Sequence, residues 1–192
     1  MTTTPATTPD TSATIHSADT KLSYRHAEAK DAAMIADLVN SGYRGDSSRQ
    51  GWTTEANLLA GARINADGVL QLILTEDTVI LLCCRGQDVI GCVQLQKTGD
   101  AAYLGMFVVS PLEQGNGIGK QFMQAAEAMV QKLWGVHKIW MTVITLRAEL
   151  IAFYERRGYV RTGRFKPFPM DAEDHIFLVE NLQFEELEKI LA

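Results

Sequence analysis

Apolar positions change period several times along the chain, and each change marks a predicted element. Residues 22–26 alternate like a short strand, and Ala33, Ile35, Leu38 and Val39 recur at helical spacing over 31–39. Asp31, near the start of that helix, suits its positive dipole end. Residues 40–52 are polar and glycine-bearing, which predicts an irregular loop. Thr53 or Thr54 is placed to cap a short helix through 59, and Asp67 another through 74. Three apolar runs follow, 78–85, 89–97 and 101–109, separated by Gly86-Gln87-Asp88 and Gly99-Asp100, as in a hairpin meander. Ile118, Phe122, Ala125, Ala126, Met129, Val130 and Leu133 then fall on one helical face, which Gly135 ends. The pattern closes with a strand over 138–144, a helix over 148–157 stopped by Gly158, strands over 159–165 and 175–181, and a terminal helix over 185–191.

With 192 residues and 46% hydrophobic content, the chain can bury one core and is short for two. We therefore expect a single domain over 21–192. Residues 1–20, rich in Thr, Ala and Pro without an apolar stretch, predict a disordered tail rather than a signal peptide. A net charge of −5 offers no broad basic surface, which argues against nucleic acid or anionic lipid as partner. No apolar run approaches the length of a membrane span. Cys83, Cys84 and Cys92 lie in apolar strands without C-x-x-C spacing, and no histidine (His16, His26, His137, His175) stands in a recognisable relation to them. They read as small buried hydrophobes of a reducing, cytoplasmic compartment, not as a disulfide framework, a metal site or a nucleophile.

The candidate chemistry begins at Gln114-Gly115-Asn116-Gly117-Ile118-Gly119-Lys120, between the strand over 103–109 and the helix over 118–133. Glycines at a strand-to-helix turn bring main-chain N–H groups together at the positive end of a helix, which is an anion site. Each charge-assisted N–H bond contributes roughly 1.5–3 kcal/mol, so three or four can hold a diphosphate without an arginine. A Walker loop is excluded because Gln121 follows Gly119-Lys120, and the dinucleotide fingerprint fails because Lys120 stands where its third glycine belongs.

Gln114, Gly117 and Gly119 do fit Q/R-x-x-G-x-G/A, and Phe107-Val108-Val109-Ser110-Pro111 before them looks like the strand leading into the coenzyme A loop of GNAT N-acetyltransferases. Downstream, Phe153-Tyr154-Glu155-Arg156-Arg157-Gly158-Tyr159 resembles the F/L-Y-E-x-x-G-F/Y signature of the same family. The resemblance spans residues 22–182. It implies an α/β (α+β) fold, a mixed and mostly antiparallel central sheet with helices on both faces, and an acetyl-CoA-dependent N-acetyltransferase acting on a small amine. By the same resemblance, the backbone of Phe107, Val108 and Val109 pairs with the pantetheine arm. Residues Gln114, Gly115, Asn116, Gly117, Ile118, Gly119 and Lys120 take the diphosphate, and Tyr154 protonates the departing thiolate. Homodimers are common in similar proteins, though no sequence patch here argues for one.

Departures from the family pattern leave questions open. Arg147 stands where many relatives carry Asn, and reads as a solvent-facing residue with a cofactor phosphate as the alternative; Leu150 stands where they carry Ala. The strand before the glycine loop has Tyr103, Gly105 and Met106 and no carboxylate to serve as base. A lysine-like amine costs about 4 kcal/mol to be neutral at pH 7, so something must take its proton. Glu55, Asp46 and Tyr43 are candidates on the early loop, each also readable as a solvated loop residue. On that loop Tyr43, Arg44, Arg49 and Trp52 are candidate substrate-binding residues, since arginine suits an acidic, amino-acid-like amine; surface charge is the competing reading. A non-catalytic acyl-CoA-binding module, or a protein N-terminal or lysine acetyltransferase, remains the alternative function.

Overall fold

The computed structural model describes residues 21–169 and 176–192; the predicted tail over 1–20 and the start of the strand predicted from His175 lie outside the described residues. In chain order the elements are β1 (Leu22–His26), a 3-10 turn (Ala29–Asp31), α1 (Ala32–Tyr43), α2 (Gly45–Ser48), β2 (Leu59–Ala60), α3 (Ala66–Leu74), β3 (Thr78–Arg85), β4 (Asp88–Thr98) and β5 (Ala101–Val109). A second 3-10 turn (Pro111–Glu113) leads to α4 (Ile118–Trp134), β6 (Lys138–Ile144), α5 (Ala148–Glu155), β7 (Val160–Pro167), β8 (Ile176–Phe177) and β9 (Gln183–Ile190).

Seven strands form one sheet in the order β1-β3-β4-β5-β6-β9-β7, antiparallel except where β5 runs parallel to β6. The central strands are apolar on both sides because both faces are covered. Leu81 and Cys83 of β3 pack with Phe122, Ala126 and Val130 of α4 and Ile151 of α5. Ile80, Leu82 and Cys84, on the opposite side, pack with Ile35 and Val39 of α1 and Val69 of α3. Leu59 of β2 joins Ile144, Phe168 and Leu182 in a smaller cluster. Among the described residues no helix is long and apolar enough to cross a membrane.

The meander and the two helices after it lie where periodicity puts them, and four segments do not. Residues 53–59 form turns ending in β2, a two-residue strand paired with β8, and not a helix. Part of the polar loop 40–52 is helical, as the end of α1 and the short α2. The largest correction is the terminal segment, which is strand β9, inserted between β6 and β7. Its Glu, Leu and Lys residues favour helix locally, but tertiary partners override that preference. Leu187 and Leu191 enter the main core, Lys189 Nζ donates to Glu127 of α4 at 2.7 Å, and Arg161 and Arg164 of β7 pair with Glu185 and Glu186. The segment 175–181 gives only the short β8, outside the main sheet.

Candidate active site

β5 and β6 are paired only at Ala102↔Ile139 and Tyr103↔Trp140; beyond them the two strands splay apart. A bulge on β5 begins the divergence: the register against β4 shifts between Cys92 and Gln94, and Met106 takes a positive φ of 51°. A splayed parallel pair leaves a notch in the middle of the sheet, and several of the candidate site residues gather around it.

On one side of the notch lies a cleft of about 340 Å³, lined by Phe107, Val108 and Val109 of β5 and by Gln114, Gly115, Gly117, Gly119 and Lys120 of the loop and helix start. Trp52, Phe153, Arg147, Arg156 and Arg157 add to the wall, which among the described residues carries four basic side chains and no acidic one. Gln114 organises the loop: its Nε2 donates to Val109 O at 2.9 Å and its Oε1 accepts from Trp52 N at 2.9 Å. Gly117, the residue before α4, has φ 75°, and a Cβ built there meets nothing within 4 Å, so the turn is open on its outer side. Helix geometry leaves the N–H groups of Ile118 and Gly119 without i−4 partners. Phe153 packs against Gly119 and sits 5.6 Å from the Trp52 ring. Ile118 itself is buried beneath the loop and Asn116 is exposed outside the cleft lining.

The second cavity, about 70 Å³, lies within the notch and is lined by Tyr103, Gly105, Met106, Thr142, Phe184 and Tyr154, together with Glu55 and Arg63. Tyr43, Phe107, Arg147 and Leu150 line both cavities and so form the boundary where the two meet. Tyr43 is fixed there by a hydrogen bond from its OH to Phe107 O at 3.0 Å. Tyr154 packs edge-on against Phe153 and Tyr159, and burial pushes its phenol well above the ordinary range. It stays protonated throughout neutral pH.

Beneath the notch Glu55 collects three arginines. Arg44 pairs with one carboxylate oxygen, Arg147 Nη1 donates to the other at 2.7 Å, and Arg63 lies at 3.7 Å. Burial pushes the Glu55 carboxyl up, but the charges of Arg63, Arg147 and Arg44 outweigh it, and the net shift is downward. A carboxylate held charged in this way is a poor proton acceptor, which argues against Glu55 as general base. Arg147 is buried, with Nη2 donating to Thr53 Oγ1 at 2.9 Å, contrary to its expected solvent exposure. The expected substrate cluster divides. Tyr43 stands at the boundary, Trp52 joins the cleft, Arg44 is buried against Glu55, and Arg49 lies elsewhere on the surface, bonded to Asn57 Oδ1. Asp46 is fully exposed beside Arg49. Arg63 and Phe184 were invisible in the sequence, since neither sits in a motif or a periodic run. Tyr103 stands out in the sequence only as a strand position without a carboxylate.

No group of three or more His, Cys, Asp or Glu among the described residues is placed to hold a metal ion. Cys83, Cys84 and Cys92 are free and buried.

Several solved structures share this fold. A spermidine N-acetyltransferase from Vibrio cholerae, in complex with CoA and spermine, is 18% identical with a TM-score of 0.64, covering 88% of this chain and 95% of its own. The ribosomal-protein-S18-alanine N-acetyltransferase from Escherichia coli is 14% identical with a TM-score of 0.65, covering 90% and 95%. A GNAT-family acetyltransferase from Streptococcus pneumoniae is 17% identical with a TM-score of 0.60, covering 90% and 100%. No curated protein sequence matches the chain significantly. The family model for the acetyltransferase (GNAT) family matches residues 35–159, which run from α1 through the notch to the tyrosine after α5. By that match the chain belongs to the acetyltransferase (GNAT) family.

Proposed function

We propose that this protein transfers the acetyl group of acetyl-CoA to a primary amine of a small molecule, by direct attack with both substrates bound. The observation that carries this reading is the meeting of two cavities at Tyr43, Phe107, Arg147 and Leu150. An elongated donor fits the outer cleft and a compact acceptor the inner one, so the reacting groups are brought together at that boundary. The open glycine turn and the first N–H groups of α4 suit a diphosphate, and Lys120, Arg156 and Arg157 add positive charge around it. The main chain of β5 at residues 107–109 receives an amide-bearing arm as an added strand would be received.

In the transfer the amine nitrogen bonds to the thioester carbonyl carbon, the carbon–sulfur bond breaks, and the departing sulfur takes a proton from Tyr154 Oη. Positioned acid help of this kind is worth about 10²–10⁴ in rate. The amine's own excess proton leaves by a route other than Glu55, through water or the acceptor's own equilibrium. The small inner cavity favours a compact acceptor over a protein segment. Three buried thiols support a reducing, cytoplasmic setting.

The absence of a free carboxylate among the described residues lining the inner cavity favours a second reading, an acyl-CoA-binding module without turnover. Continuous CoA release from acetyl-CoA across a panel of amines separates the two. Turnover with at least one amine is the expected result, and tight acetyl-CoA binding with no release for any acceptor would replace the enzyme by the module.

A further inference from the structure

Arg63 is an accessible guanidinium in a cavity, with its charge only partly engaged. It lines the inner cavity, its side chain is 27% exposed, and its nearest Glu55 oxygen is 3.7 Å away, beyond hydrogen-bond distance. Among the described residues its guanidinium makes no hydrogen bond; its position is set by stacking on the Tyr43 ring at 4.3 Å. Glu55 neutralises it only in part, because that single carboxylate is shared with Arg44 and Arg147, both of which it bonds directly. Among the described residues, three arginine charges therefore face one carboxylate charge. The excess is not absorbed below the cavity either, where Arg44 Nε, Arg44 Nη2 and Arg147 Nε are buried without hydrogen-bond partners.

We propose that the inner cavity takes an amine carrying a carboxylate a few atoms away, an α-amino acid or close analogue, with Arg63 as the specificity-determining residue that reads the carboxylate. This rests on the acetyl-transfer reading above and names its acceptor class. A planar guanidinium with unused N–H groups matches a carboxylate fork to fork. A polycation such as a polyamine finds the reverse field, with net positive charge and no unpaired acid among the described lining residues. The same field eases the chemistry, because an ammonium beside arginines gives up its proton more readily than in water. An acceptor anchored by its carboxylate thus compensates for the missing general base.

The test compares matched acceptors with the full-length protein and acetyl-CoA: L-amino acids, their decarboxylated amines, their C-terminal amides, and spermidine. We expect kcat/KM for the best amino acid to exceed that of its decarboxylated amine by about 30-fold, the scale of one charge-assisted pair. Arg63→Gln should collapse that ratio to within about 3-fold, with Arg63→Lys retaining part of it. Spermidine or the decarboxylated amine matching the amino acid, or an unchanged ratio in Arg63→Gln, overturns the proposal. If no acceptor turns over, the transfer reading fails, and binding decides this one separately. With CoA present, an N-acetyl amino acid should raise the melting temperature of the wild-type protein more than its decarboxylated counterpart does, and equal shifts sink the proposal.

Discussion

At the scale of single residues, the site depends on side chains whose protonation is fixed by their neighbours. Tyr154 is held neutral by burial, so the proton-donor role proposed for it has a direct check. Tyr154→Phe keeps the ring packing against Phe153 and Tyr159, so stability should change by less than about 1 kcal/mol while kcat falls roughly 10²-fold. Acetyl-CoA affinity, measured by calorimetry, should stay within about twofold. Equal losses of affinity and turnover would make the tyrosine a packing residue. Asp31 is a second fixed group, remote from the site. Arg25 grips it with Nη1 at 2.6 Å and Nη2 at 3.0 Å, and this pairing holds its carboxyl down to about 2. The folded value lies below the unfolded one, so the stabilisation is present above about pH 4 and is lost as pH falls toward 2. Asp31→Asn should therefore lower unfolding free energy by about 1 kcal/mol at pH 6, allowing for the partly exposed arginine. Near pH 2 the difference in urea midpoints should vanish, and a constant difference across that range would assign the effect to something other than charge.

Elements act by holding backbone where side chains do not fit. The turn into α4 needs Gly117 in the left-handed region, at φ 75°, and a side chain there points into open space. Gly117→Glu should cost about 1–2 kcal/mol of stability from the backbone alone, yet lower acetyl-CoA affinity by about 100-fold or more, since it places bulk and negative charge at the proposed diphosphate cradle. Loss of affinity no larger than the loss of stability would remove the cradle from that turn. Gly91 in β4 answers a different need. A Cβ there would lie 2.8 Å from Val108 O and 3.2 Å from the Phe122 ring, jammed between the β5 backbone and α4. Gly91→Ala should thus destabilise by about 1–3 kcal/mol by overpacking, read from denaturant midpoints at unchanged slope. The same β5 segment lies along the outer cleft, so the variant should also weaken acetyl-CoA binding.

Over the whole molecule, a sheet covered on both faces shields its central strands from solvent, and the cysteines report on it. Burial pushes the Cys83 and Cys92 thiols up to about 12, so at pH 8 the native protein should react with a thiol reagent many times more slowly than in 6 M guanidinium. Fast native labelling of either would mean the covering helices open readily. Much of this assembly was legible in local order. The meander of β3 to β5, the face and limits of α4 and the glycine turn all follow from periodicity and positive-φ demands, which are properties of neighbouring residues. What the chain alone left undecided involves partners far apart in sequence. A Glu- and Lys-rich terminal segment becomes β9 only because β6, β7 and α4 offer it apolar contacts and opposite charges. Arg147 is drawn inside only because Glu55, 92 residues away, is there to meet it. Among the described residues, the Arg63 guanidinium makes no hydrogen bond because that same carboxylate bonds Arg44 and Arg147 instead. The sequence by itself thus determined the meander, α4 and the glycine turn, where local backbone physics is enough. The charge character of the inner cavity was decided by tertiary structure, because it is a balance among side chains that only folding brings within reach of one another.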